Sequence, residues 1–247
     1  MKWAAAMATY RSYRDTISKD FVGSIGLDAR RDPVYPDLAF GLPGPECAER
    51  KPSDGEALTI GLGIMNYSGW FAHRPDVYGR YLENITRFLM WLLDRKYRVR
   101  ILTGDSIDQS AVDDLVKALA AEGQTAPPER LVAAPTTTLH ELMQQIALTD
   151  IVVATRFHNV VCALKLGKPT ISVGYAAKND ALLADMGLEK FCQHIERLDV
   201  DLLIQQFLAL IGDRCRHERR IGETVRLYQQ QLSDQEALLA SRLVVTT

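Results

Sequence analysis

The sequence predicts an α/β fold in which helices cover both faces of a parallel sheet. From residue 57 onward, short runs rich in β-branched residues alternate with amphipathic segments, as in repeated strand–helix–strand units. The chain has 247 residues, of which 47% are hydrophobic and 24% charged, so it can bury a substantial core. Glycine also follows several of the amphipathic segments, where helices commonly end.

Strands and helices are expected to alternate through the main part of the chain. The predicted strands are residues 57–64, 97–103, 130–134, 150–155 and 169–175, and the predicted helices are 77–95, 109–122, 139–147, 158–166 and 178–186. Thr138 and Glu141 form a capping-box pattern at the start of the third helix. Residues 199–243 predict two more helices, the second with an apolar stripe.

The proline distribution divides the chain into three predicted parts. Prolines interrupt residues 28–56, which therefore form an interdomain linker. Residues 57–247 form the main domain with its C-terminal helices. Residues 1–27 are then the remnant of a domain that precedes the linker.

Composition argues against several kinds of partner and cofactor. With 29 basic and 31 acidic residues and a net charge of -2, the chain has no overall field that would attract nucleic acid. Its apolar runs are shorter than the roughly 20 residues of a membrane span. Neither a metal-ligand spacing nor a complete dinucleotide-binding glycine pattern is present, so no metal and no cofactor are expected. The dispersed cysteines favour a cytoplasmic setting. A homo-oligomer is compatible with the sequence.

The stretch "TRFHN" places two chemically useful residues at a strand-to-helix junction. Arg156 and His158 follow the predicted strand 150–155, at the sheet edge where ligands of such folds bind. In an extended backbone these two side chains face the same way, so both can enter one cleft. Arginine suits a carboxylate or phosphate, and histidine exchanges protons near neutral pH. The structural alternative is a surface ion pair for Arg156 and a helix cap for His158.

Two further loops at the same edge contain candidate binding residues. Lys178 follows the fifth strand and can add a second positive charge, although lysines near helix starts are commonly only solvated. Asn66 and Trp70 lie in an aromatic loop after the first strand, where rings can stack on a sugar. The alternative is that these aromatic residues anchor the loop to its own domain.

Three stretches of the chain, in this order, resemble the polysaccharide pyruvyl transferase family. They are "YRDTIS" (13–18), "YPDLAFGLP" (35–43) and "RFHNVVCALKLGKPTISVGYAAKNDALLADMGL" (156–188). The last is the most specific, because that family has an Arg-x-His block with later Ala, Gly and Pro residues, then a strand and Tyr-x-x-Lys. Those places are filled here by Arg156, His158, Ala163, Gly167, Pro169, Tyr175 and Lys178. The resemblance runs over most of the chain.

The resemblance implies a fold, a reaction and a set of site residues. Members look like GT-B enzymes, with two Rossmann-like domains. This chain resembles the C-terminal, donor-binding domain and the end of the N-terminal one, whose Rossmann half is missing. The implied activity is transfer of a pyruvyl group from phosphoenolpyruvate to a sugar as a ketal, in exopolysaccharide biosynthesis for the cell envelope. Arg156 and His158 would be catalytic, and Arg14, Tyr175 and Lys178 would join Asn66 and Trp70 in binding substrate.

Two alternatives stay open at this point. One is a GT-B glycosyltransferase that uses a nucleotide sugar, which would need an acidic residue late in the domain to hold the ribose. None of Glu189, Glu196 and Asp199 is clearly placed for this by the sequence. The other is a truncated, non-catalytic half that binds an anion resembling the donor.

Overall fold

The structure is a computed structural model that describes residues 2–45, 56–67, 74–124 and 127–244. The chain forms two compact units, one of Met1–Pro43 with Glu223–Thr247 and one of Gly44–Gly222. Residues 28–43 of the predicted linker therefore belong to the smaller unit together with the first 27 residues. The end of the predicted C-terminal domain also belongs to that unit.

Helices account for most of the described chain. They are α1 (Lys2–Met7), α2 (Thr16–Ser24), α3 (Pro75–Asp94), α4 (Gln109–Ala121), α5 (Leu139–Ala147), α6 (Phe157–Lys165), α7 (Ala177–Asp185), α8 (Val200–Gly212) and α9 (Arg214–Val244). The predicted capping box is present, since the Thr138 hydroxyl accepts a hydrogen bond from the Glu141 backbone N–H at 3.1 Å. None of the helices in these described ranges is long and apolar enough to cross a membrane.

The larger unit is built on a parallel sheet of six strands. They are β1 (Thr59–Gly63), β2 (Arg98–Leu102), β3 (Leu131–Ala133), β4 (Ile151–Ala154), β5 (Thr170–Gly174) and β6 (Cys192–His194), in the order β3-β2-β1-β4-β5-β6. The first five match the predicted strands. The sixth escaped prediction because "CQH" is short and has no apolar run.

The central strands form the core of this unit. Every residue of β1, β4 and β5 is buried, as expected where helices pack on both faces of a parallel sheet. The aromatic residues Phe88 of α3 and Phe207 of α8 are fully buried and meet edge to face, with ring centroids 5.7 Å apart. Burial of such a side chain contributes roughly 1.5–3 kcal/mol to folding.

The direction in which strands are added to the sheet reverses between β1 and β4. From β1 the chain adds β2 and β3 on one side, and it then returns to add β4, β5 and β6 on the other. At such a reversal the loops after neighbouring strands diverge, which leaves room at the carboxyl edge of the sheet. The loops after β1, β2 and β4 all begin at this edge.

The smaller unit is held by polar contacts and one aromatic pair. Arg11 donates a hydrogen bond to Asp32 at 2.8 Å, and Tyr13 pairs with Val34 in an isolated β-bridge. Phe40 is fully buried and meets Tyr228 of α9 edge to face at 5.1 Å. Phe40 thus packs against the middle of α9, within the part of that helix that belongs to this unit.

Candidate functional site

Arg156 forms a bidentate ion pair with Asp108 at the carboxyl edge of the sheet. Its Nε lies 2.9 Å from Asp108 Oδ2 and its Nη2 lies 2.7 Å from Asp108 Oδ1. The Asp108 side chain is 0% exposed, whereas that of Arg156 is 22% exposed. Burial lowers the pKa of Arg156, but the hydrogen bonds and charge of Asp108 outweigh this effect and raise the pKa above its ordinary value. The guanidinium is therefore permanently charged and fixed in direction, and part of the Arg156 side chain is open to solvent.

Asp108 also holds the loops that follow β1 and β2. Its Oδ1 accepts a hydrogen bond from the Asn66 backbone N–H at 3.0 Å, and its Oδ2 accepts one from the Gly104 backbone N–H at 3.3 Å. Asp108 is not among the predicted site residues, because its contact with Arg156 spans 48 positions in the chain and no local motif marks it. An acidic residue just before a helix is typical of an ordinary cap.

His158 is the second residue of α6 and is exposed to solvent. Arg156 has an extended backbone and precedes the helix, but the helix begins at Phe157. The extended conformation predicted for residues 156–158 is therefore wrong from Phe157 onward, so the two side chains are not required to face the same way. The His158 ring lies edge to face against Phe157 at 5.6 Å.

Lys178 reaches the start of α6 from the neighbouring helix. It is the second residue of α7, and its Nζ lies 4.6 Å above the ring of Phe157 and 5.7 Å from the ring of Tyr175. Aromatic faces attract cations in this geometry. Phe157 thus contacts both His158 and Lys178, and the structure brings these two predicted residues and Tyr175 to one place.

Tyr175 is stacked on a second tyrosine from the loop after β1. The rings of Tyr67 and Tyr175 are 6.1 Å apart with an angle of 27° between their planes. The Tyr67 hydroxyl donates a hydrogen bond to Glu196 Oε1 at 2.9 Å, and Arg74 Nη1 lies 3.6 Å from Glu196 Oε2. Burial and this hydrogen bond raise the pKa of Tyr67 to about 12, so the hydroxyl stays protonated near neutral pH.

Asn66 takes part in the framework of the loop. Its backbone binds Asp108, and its side-chain Nδ2 donates a hydrogen bond to Ser110 Oγ on α4 at 2.8 Å. The other residue of this loop that is predicted to bind substrate, Trp70, lies outside the described residues.

Arg14 lies in the smaller unit and bridges two aspartates. Its Nη1 is 3.1 Å from Asp37 Oδ2, and its Nε is 3.6 Å from Asp15 Oδ2. Asp15 caps α2 by accepting a hydrogen bond from the Ser18 backbone N–H at 2.6 Å. Asp37 accepts one from the Ala39 backbone N–H at 3.0 Å and begins a short 3-10 helix, Leu38–Gly41. Both carboxylates therefore orient Arg14 while capping a turn of their own.

The helices after β4 and β5 begin without a side-chain cap. Neither Arg156, before α6, nor Ala176, before α7, makes a capping hydrogen bond with its side chain, whereas Thr138 caps α5 and Asp199 caps α8. Uncapped first turns favour anions. Within the described ranges, no three His, Cys, Asp or Glu side chains come together in a way that could hold a metal ion.

Comparison with known proteins gives one family. A family model described as polysaccharide pyruvyl transferase matches residues 1–176. None of the curated proteins compared with the chain matches it.

Two solved structures show a similar fold. An O-GlcNAc transferase mutant from Thermobaculum terrenum is 17% identical with a TM-score of 0.51, over 75% of this chain and 36% of that one. UDP-GlcNAc 2-epimerase from Neisseria meningitidis, bound to UDP-GlcNAc, is 11% identical with a TM-score of 0.57, over 93% of this chain and 62% of that one. The chain thus spans less than two thirds of either protein. The likeness concerns the fold, and it confirms the predicted Rossmann-like α/β architecture.

Proposed function

The chain belongs to the polysaccharide pyruvyl transferase family, a family of transferases, and we propose that it transfers a pyruvyl group from phosphoenolpyruvate to a saccharide. The observation that carries this proposal is that three cationic or ionisable side chains lie at one edge of the sheet. Arg156 is fixed there by Asp108, and His158 and Lys178 both contact Phe157. The matched range contains Arg156 and His158.

The arrangement suits a small molecule with two anionic groups. Phosphoenolpyruvate has a carboxylate and a phosphate a few bonds apart, so it needs donors fixed at two points. Asp108 occupies Nε and one N–H of Nη2, so three of the five guanidinium N–H groups of Arg156 are left for an anion. The starts of α6 and α7, with His158 and Lys178, supply donors for the second group.

The proposed reaction begins with a proton transfer to carbon. His158 donates a proton to the methylene carbon of the donor, so that this carbon becomes a methyl group and the adjacent carbon becomes cationic. A saccharide hydroxyl adds to that carbon and loses its proton. The phosphate then leaves with the electron pair of its C–O bond, and a second hydroxyl of the same sugar adds and loses its proton to complete the ketal. One of the two released protons restores His158, and the other goes to the phosphate.

The acceptor is proposed to be a saccharide that approaches past the stacked tyrosines. Tyr175 is half-buried beside Lys178 and stacks on the buried Tyr67, and an aromatic ring can bind the apolar face of a sugar. The reaction is proposed to take place in the cytoplasm, which suits dispersed cysteines. No cofactor is required, because the donor carries the activated group itself.

Ligand-dependent thermal unfolding tests the proposal. Phosphoenolpyruvate is expected to raise the unfolding temperature, since a ligand at 100 times its Kd stabilises a protein by about 2.7 kcal/mol. Arg156→Ala should abolish the shift and Arg156→Lys should reduce it, whereas Arg219→Ala, an exposed site on α9, should leave it unchanged. A shift with UDP alone that persists in Arg156→Ala would overturn the proposal and favour a nucleotide-sugar glycosyltransferase.

A further inference from the structure

We propose that Asp108 is the positioning residue of the donor site and that it controls donor affinity through Arg156. This inference rests on the proposed function, because it assigns Asp108 to the site that binds phosphoenolpyruvate. Asp108 itself is fully buried, so it cannot contact a substrate directly.

Four hydrogen bonds saturate the Asp108 carboxylate. Oδ1 accepts from Arg156 Nη2 and the Asn66 backbone, and Oδ2 accepts from Arg156 Nε and the Gly104 backbone. A carboxylate has about four acceptor positions, so no capacity is left for another ligand. The donors come from the loops after β1, β2 and β4, and Asp108 therefore fixes these three loops relative to one another.

The backbone of Gly104 holds the stem of Arg156 from a second side. A Cβ atom at Gly104 would lie 3.0 Å from Arg156 Cγ and 2.6 Å from Asn159 Oδ1. Real Cβ atoms do not approach other atoms so closely, so only glycine leaves room for this contact. The Arg156 side chain is thus held at its stem by Gly104 and at its head by Asp108.

The negative charge of Asp108 opposes the binding of an anion. Its effect on Arg156 position and its effect on electrostatic attraction therefore predict opposite changes in donor affinity. Asp108 cancels the charge of Arg156, so Asp108→Asn adds one unit of positive charge to the site. If attraction alone governed affinity, this variant would bind phosphoenolpyruvate more tightly. If position governs affinity, the variant binds more weakly, because an amide turns donor N–H groups toward Arg156 and the fork loses its fixed direction.

Donor affinity, measured by calorimetric titration with phosphoenolpyruvate, provides the test. Asp108→Asn is expected to weaken binding by about tenfold or more, the effect of losing about 1.4 kcal/mol. Asp105→Asn is the matched control, since Asp105 is an exposed carboxylate in the same loop. Its side chain caps a 3-10 turn by accepting a hydrogen bond from the Ile107 backbone N–H. It should change affinity by less than twofold. Tighter binding by Asp108→Asn would overturn the inference.

A double-mutant cycle distinguishes action through Arg156 from a general structural effect. In an Arg156→Lys background, where donor binding is reduced but measurable, Asp108→Asn should cause a much smaller loss of affinity than in wild type, because the arginine fork that Asp108 holds is already gone. A further loss of the same size would overturn the inference. Gly104→Ala provides an independent test if Asp108→Asn does not fold. The added methyl group displaces the Arg156 stem and leaves the Asp108 carboxylate in place. Unchanged donor affinity in Gly104→Ala would also overturn the inference.

Nuclear magnetic resonance of 15N-labelled arginine separates this inference from the proposed function. The Nε–H of Arg156 should give a signal in slow exchange with water in the wild type, and this signal should disappear in Asp108→Asn. Its survival would overturn the positioning role, whether or not the donor binds. Failure of wild-type protein to bind phosphoenolpyruvate, with the signal behaving as expected, would instead overturn the proposed function.

Discussion

Asn159 and Asn179 occupy equivalent positions in successive helices, since each is the third residue of a helix that follows a central strand. Both are 0% exposed. The Asn179 amide donates a hydrogen bond to Ser172 Oγ at 3.2 Å, whereas neither amide atom of Asn159 has a partner within the described part of the chain. The same helix position thus contains one partly satisfied and one unsatisfied polar group.

Replacement of these asparagines by leucine, which has nearly the same shape, should have unequal effects. A buried amide without partners costs about 1–3 kcal/mol, so Asn159→Leu should raise the free energy of unfolding by about 1 kcal/mol. Asn179→Leu loses a hydrogen bond and should not stabilise the protein. Urea denaturation of both variants measures the difference, and an Asn159→Leu protein less stable than wild type would contradict the prediction.

His158 is expected to affect chemistry more than donor binding. His158→Gln keeps a polar side chain on the exposed first turn of α6 but cannot deliver a proton. Phosphate release in the presence of acceptor should fall by about 10²–10⁴-fold, the usual contribution of a general acid, while the Kd for phosphoenolpyruvate should change by only about threefold. An equal loss in both quantities would assign His158 to donor binding alone and exclude it from proton transfer.

Lys178 should contribute charge to donor binding without being essential. Lys178→Gln removes the cation that lies over Phe157 and should weaken phosphoenolpyruvate binding by about fivefold, as a partly exposed ion pair contributes up to about 1 kcal/mol. Lys117→Gln, in which a 76% exposed lysine of α4 is replaced, is the control and should bind as wild type does. The wild-type affinity should also fall with added salt more steeply than that of Lys178→Gln.

The raised pKa of Tyr67 predicts that the folded protein loses stability in alkali. Because the pKa of Tyr67 is raised from 10.0 to about 12 in the folded protein, its stabilising contribution is complete below pH 10 and declines as the pH rises toward 12. The stability advantage of wild type over Tyr67→Phe should therefore shrink by about 2 kcal/mol between pH 9 and 11.5. Urea denaturation of both proteins across this pH range measures the change. A stability difference that stays constant would show that the Tyr67 hydroxyl ionises equally in the folded and unfolded states.

Local patterns predicted the strands and helices because each pattern is produced by burial or by a short-range hydrogen bond. The run "DIVVAT" became β4 with every residue buried, and the Thr138–Glu141 pattern became a capping box. The strand β6 contains Cys192 and His194 on either side of one buried residue. It is a strand because these three residues pair with β5, and its sequence has no periodic pattern that would predict it.

The candidate site was predictable only where it depends on strand ends. Arg156, His158 and Lys178 were selected because they follow strands that were visible in the sequence. Asp108 was missed because its role depends on the packing of loops that are far apart in the chain. The true start of α6 at Phe157 also could not be fixed, since helix boundaries depend on hydrogen bonds that a local pattern does not specify.

The order of strands in the sheet has a consequence for the synthesis of this protein. The first strand of the sheet to emerge from a ribosome, β1, pairs with β4 through Ile60 and Ile151, so the middle of the sheet stays incomplete until β4 has been made. Until that time the apolar edge of β1 is open to other chains. A folding chaperone would therefore matter most in the interval between the synthesis of β1 and that of β4.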